Sequence, residues 1–138
     1  MSNLQVYIRH PDDIPIELQQ LSHPLPLTNF SQRLGLICHS QTMLNEGTDV
    51  ALCVPFVAPS ISVSGRINWC RKLDSGFEVG INFESVDASM RVRMLEQLCR
   101  IHQYRLHVCQ EQGRSLSEED AALEWIERYA ALFPSDGV

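Results

Sequence analysis

Apolar and polar residues alternate along two neighbouring stretches of this 138-residue chain. Ile61, Val63, Ile67 and Trp69 mark the first; Phe77, Val79, Ile81 and Phe83 mark the second. A repeat of two puts such side chains on one face of a strand. Between them, Lys72-Leu73-Asp74-Ser75-Gly76 has the composition of a tight loop, so the pattern predicts a β-hairpin. Gly65 and Gly80 fall inside its arms, where glycine marks a bulge, a bend or close approach of another backbone; two of them predict a strongly curved sheet.

Upstream, 14–18 alternates as a first strand, placed at an edge because Pro15 has no amide hydrogen for a ladder. A connection with Pro24 and Pro26 leads to strands at 27–31 and 35–40, with 32–34 between them or bulged. Asn45-Glu46-Gly47-Thr48 is a turn. The nearly continuous apolar run 50–57 predicts a strand buried on both faces or covered by a helix on one, and 58–60 turns into the hairpin. Short strands punctuated by turns suggest a sandwich or a barrel. After Phe83 the period becomes helical. Ala88, Val92, Leu95, Cys99, His102, Leu106 and Cys109 repeat at 4-3-4-3 spacing, beside a second stripe of Met94, Leu98, Ile101 and Val108. This predicts a helix over 88–112, with Asp87 as N-cap and Gly113 as its stop. One stripe can cover the sheet; the other must meet the last helix or a second subunit. Ser117 caps a further helix over 118–133, whose Glu118, Glu119 and Asp120 suit the positive end of the helix dipole. Its apolar face is Ala122, Trp125, Ile126, Tyr129 and Phe133, and Pro134 ends it.

The hairpin, as Gly65-x-Ile67-x-Trp69 followed by Gly76-Phe77-x-Val79-Gly80-Ile81-x-Phe83, resembles the closing hairpin of PilZ domains. These are small bacterial β-barrels, many of which bind cyclic di-GMP. The resemblance spans about 7–110. It implies a single mainly-β domain over 1–138: a six-stranded antiparallel barrel at about 7–84 and then the two C-terminal helices.

Composition narrows the function. A 44% apolar content suits one globular core. No run of 18 or more apolar residues suggests a membrane span, residues 1–5 lack the apolar core of a signal peptide, and five irregularly spaced cysteines fit reduced thiols; the expected location is cytoplasmic. The net charge of −6 is concentrated late, with 10 acids and 9 bases over 1–110 but 7 acids and 2 bases over 111–138. Polymeric nucleic acid calls for a basic surface, so it is not the expected partner.

The resemblance also implies where a ligand sits. The family holds cyclic di-GMP with Arg-x-x-x-Arg ahead of the barrel and Asp/Asn-x-Ser-x-x-Gly on a barrel strand. Arginine forks onto phosphate or guanine and stacks on the base, and glycine lets the ligand approach the backbone. Here Arg9 stands for the first arginine and Asp13 replaces the second, with Asp12 adding negative charge. In the other motif Asn29 and Ser31 match, Leu34 replaces glycine, Gly35 lies one residue later, and Arg33 is a possible substitute cation. Each lost or inverted charge costs about 1–3 kcal/mol in a partly desolvated site. Cys99 and His102, one helical turn apart, could bind zinc with His39 or Cys109, but no Cys-x-x-Cys or His-x-x-x-His supports the set, and no metal or other cofactor is expected. With no nucleophile, phosphate or zinc-protease motif, the chain is not expected to be an enzyme. Two functions remain: a cyclic di-GMP receptor using Arg9, Asn29, Ser31, Arg33 and Gly35, or a nucleotide-independent module whose helices bind a protein partner or a second copy.

Overall fold

The hairpin forms as its alternation predicts. In the computed structural model, which describes residues 6–23, 31–83 and 85–129, β5 (Ala58–Lys72) and β6 (Phe77–Phe83) pair antiparallel, with Lys72 opposite Phe77. Gly76 closes the turn with φ of 78°, and a Cβ there would press on the His39 ring and the Ser40 carbonyl. Four further strands complete one sheet: β1 (Val6–Arg9), β2 (Glu17–Gln20), β3 (Ser31–Ser40) and β4 (Asp49–Val54). The order is β1-β3-β6-β5-β4-β2.

The strands differ from the sequence expectation in four ways. The stretch 6–9 is itself a strand, and 14–16 is part of the bent link that follows it. The two strands expected at 27–31 and 35–40 meet in β3, which carries an irregularity between Ser31 and Gly35; 27–30 lies outside the described residues. β4 ends at Val54, because 55–57 turns at once into β5, and Val54 pairs with Ala58. Its burial alternates, with Val50, Leu52 and Val54 fully buried and Ala51 and Cys53 half-buried. Finally, β1 runs parallel to β3, so the sheet is mixed. After β1 the chain crosses to the far edge as β2 and then returns beside β1, and such a crossover is what a parallel pair requires.

β1 and β2 end the strand order, and no ladder joins them among the described residues. A flat sheet of six strands would set its edges about 24 Å apart. Only 10–16 connects those edges, and this link is bent: Ile14 N–H donates to Pro11 O at 3.3 Å, and His10 Nε2 lies 2.7 Å from Ile14 O. Such a link cannot span a flat sheet, so the sheet curls and Ile14 is buried against its core.

The core face of the sheet meets the first half of α1 (Val86–Gln112), where Ala88, Val92, Leu95 and Cys99 join Leu36, Ile67, Ile81 and Phe83. Ser85, not Asp87, caps this helix, its Oγ accepting from Ala88 N–H at 3.0 Å. Asp87 sits in the first turn instead. Gly113 ends it in the left-handed conformation, as expected. The second half of α1 packs on α2 (Glu118–Tyr129) through Tyr104, Val108, Ala121 and Trp125. The two stripes thus divide along the helix rather than around it: Leu106 and Cys109 point to solvent. On α2, Ser117 Oγ accepts from Asp120 N–H at 3.0 Å as an N-cap should. Ile126 and Tyr129, expected on the apolar face, are exposed; Phe133 lies outside the described residues. No helix among the described residues is long and apolar enough to cross a membrane.

Candidate functional site

Pairing fixes which side chains share the outer face of the sheet. Leu36, Ile81 and Ile67 stand side by side facing the core. Their alternate neighbours therefore face outward: Tyr7 and Arg9 on β1, Gly35 and His39 on β3, Glu78 and Gly80 on β6. On β5 a bulge between Ile67 and Trp69 breaks the alternation and sets Trp69 opposite Gly80. Trp69, expected on the same face as Ile67, is thereby turned outward. A Cβ at Gly80 would collide with its indole, so the glycine is what seats the ring on the sheet. Tyr7 meets Trp69 edge-on, with ring centroids 6.2 Å apart. Its hydroxyl oxygen accepts from Trp69 Nε1–H at 3.2 Å and from Asn68 Nδ2 at 3.0 Å.

Beside this aromatic platform lies a charged triad. Glu78 accepts from Arg9 Nη1 through Oε2 and from Arg71 Nη2 through Oε1, each at 2.5 Å. Both guanidinium groups are largely exposed, whereas Glu78 is buried. The Arg9 hydrogen bond holds the Glu78 carboxyl below its ordinary range; burial opposes this and Arg71 reinforces it. A second pair, Arg66 and Asp49, bridges β5 and β4 at 2.6 Å. Arg9 and Glu78 also border an open groove of about 1020 Å³ between the 9–19 segment and the 37–42 stretch.

The predicted ligand residues are only partly brought together. Arg9 lies opposite Ile37, and Gly35 is two residues back along β3 on the same face. Ser31 begins β3 with its backbone opposite Phe83, and because the irregularity takes up 32–34 it lies three β6 positions from Gly80, the partner of Ile37, or about 10 Å of strand; Arg33 belongs to that irregular segment. Asn29 lies outside the described residues. Asp13 is turned toward α1, where its Oδ1 accepts from Gln103 Nε2 at 2.8 Å, while Asp12 borders the groove. Leu34, at the position where the family motif has glycine, is 4% exposed within the core, so its side chain points away from the outer face. Sequence reasoning does not reach Tyr7, Trp69 or Glu78 as site residues. The hairpin alternation contains Trp69, but only the bulge decides its face.

The zinc set weighed from Cys99 and His102, for which the sequence gives no support, is not brought together among the described residues. Cys109 is exposed, and His39 Nε2 lies 2.8 Å from Ser75 O in the hairpin turn. Instead Cys99 joins Glu96, one turn earlier on α1, and His10 from the link; their candidate ligand atoms all lie within 4.8 Å of one another. Burial, then the Glu96 charge, raises the Cys99 thiol to about 12, and the same two causes lead for Cys38. Comparison with family models, with curated proteins and with solved structures gives no match.

Proposed function

We propose that this chain is a non-enzymatic signalling domain of the PilZ type, its sheet curled as the family's barrel and its outer face a weakened receptor for cyclic di-GMP. The observation that carries this reading is the Trp69–Tyr7 platform seated on Gly80, with Arg9 and Gly35 on the same face. A flat guanine needs an aromatic or guanidinium plane to stack on and a phosphodiester needs a guanidinium fork. The Arg9–Glu78 pair explains why binding is weak: a ligand phosphate must compete with a buried carboxylate for the same guanidinium, and Asp12 adds repulsion. Calorimetric titration of cyclic di-GMP into the purified protein tests it. Heat saturating below about 100 µM, corresponding to roughly −5.5 kcal/mol, is expected, with loss of binding in Arg9→Ala and Trp69→Ala. No heat at that concentration removes the receptor reading.

A second reading rests on the helices. Val86, Met90 and Met94 form an exposed stripe on α1 flanked by Arg93, and Leu123 and Ile126 form one on α2 flanked by Glu119 and Glu127. The first is flanked by both signs, since exposed Asp87 lies beside Val86 and Met90, and the second is apolar and acidic. In a two-fold dimer each α1 stripe would meet the partner's α2 stripe, an isologous arrangement that covers both. Sedimentation at micromolar concentration distinguishes the readings: a dimer that Met90→Glu converts to monomer supports a helix-mediated module, and a monomer in both cases removes it.

A further inference from the structure

His10 is 3% exposed and Glu96, in the middle of α1, is fully buried. Both ring nitrogens of His10 face acceptors: Nε2 lies 2.7 Å from Ile14 O, and Nδ1 lies 2.7 Å from Glu96 Oε2. A carbonyl oxygen can only accept, so Nε2 carries the hydrogen. That leaves Nδ1 and a carboxylate oxygen facing each other, and a cation must stand between them. A proton is the simplest one. The surroundings fit a metal as well: Cys99 Sγ completes a set of three donors within 4.8 Å of one another. The other carboxylate oxygen, Glu96 Oε1, is buried without a hydrogen-bond partner, the Arg100 guanidinium standing off at 3.9 Å.

We propose that His10 Nδ1, a Glu96 carboxylate oxygen and Cys99 Sγ bind a divalent ion of the zinc class. Nitrogen, oxygen and sulfur donors in one set suit a borderline-soft cation, and hard magnesium or calcium would not choose a thiolate. The Nε2–H···O=C bond to Ile14 is the outer-shell contact that metal-bound histidines characteristically make, and it already presents Nδ1 to the site. Tetrahedral zinc with bonds of about 2.0–2.2 Å would hold Nδ1 and the carboxylate oxygen about 3.4 Å apart, so the present 2.7 Å contact opens by about 0.7 Å. Zinc displaces the bridging proton and the Cys99 thiol proton, and both leave to solvent. Of the three donors His10 borders the groove, the side from which an ion would enter. The ion would clamp the link between the sheet edges to the first half of α1, a role separate from ligand binding on the outer face.

The test uses the full chain, reduced and stripped with chelator, then titrated separately with zinc chloride and cobalt chloride. One zinc per chain retained through gel filtration is expected, as is a sulfur-to-cobalt charge-transfer band in the near ultraviolet. Cys99→Ser should abolish the band, Cys109→Ser should keep it, and His10→Gln should weaken cobalt binding at least tenfold. If Cys99→Ser does not fold, X-ray absorption on the zinc-loaded parent decides the same question: one sulfur near 2.3 Å with nitrogen or oxygen neighbours supports the site. No charge-transfer band at tenfold excess of cobalt, a band lost in Cys109→Ser, or a shell of two or more sulfurs overturns it and leaves a proton between His10 and Glu96.

Discussion

A Cβ added at Gly65 would lie 2.6 Å from Ile81 Cγ2 and 2.7 Å from the Asn82 carbonyl oxygen. The methyl could turn away, but the backbone oxygen is held by the β5–β6 ladder. Gly65→Ala should therefore destabilise the protein by about 1–3 kcal/mol, as overpacking does, with a lower urea midpoint and an unchanged slope. Ser64→Ala, one position along on the half-buried side of the strand, is the control and should change little. A different residue contributes to the acid limb of stability. The Glu78 carboxyl is depressed in the folded state, chiefly by its hydrogen bond from Arg9. A depressed carboxyl contributes stability that is present above its unfolded value, about 4.3, and is lost as pH falls through the lower folded value. Acid titration followed by circular dichroism should show this loss below about pH 4, and Glu78→Gln should remove that component and flatten the limb.

At the scale of elements, α1 serves two separate clusters, one with the sheet and one with α2. Removing the Trp125 ring should thus act locally. Trp125→Ala, a core truncation of the kind that costs about 3–5 kcal/mol, is expected to strip hydrogen-exchange protection from 118–129 and the end of α1 while β3, β5 and β6 keep theirs; uniform loss across the sheet would contradict the separation. Much of this layout is legible in the residues themselves. Period two marks the hairpin, the 4-3 spacing marks α1, and Gly113 and Ser117 mark a stop and a start by residue type alone. The errors arise where several local choices are equally good. Ser85 and Asp87 are both competent caps, and the end of β6 decides between them. The stripe containing Leu106 and Cys109 has the correct spacing, yet α2 takes the neighbouring face with Tyr104 and Val108. The outer-face site is less legible still, because the bulge that turns Trp69 outward depends on register with β6 rather than on the alternation within β5.

The whole molecule depends on a short piece of chain whose alternation resembles that of a strand. Ile14 lies midway along the link between β1 and β2, and it is buried against a core drawn from the sheet and α1. No pattern within 10–16 reveals this, since the burial is created by the curl that brings opposite ends of the strand order within reach of one bent link. If Ile14 holds that curl, truncating it should be felt at both edges at once. Ile14→Ala is expected to cost about 2–5 kcal/mol, read as a lower urea midpoint. Amide protection should fall together in β1 and β2, which share no ladder but share this link. The neighbouring exposed Pro15, changed to alanine, should leave both edges protected. Protection lost from β2 alone would mean that β1 is held by its parallel pairing with β3 and that the sheet can open without disturbing it.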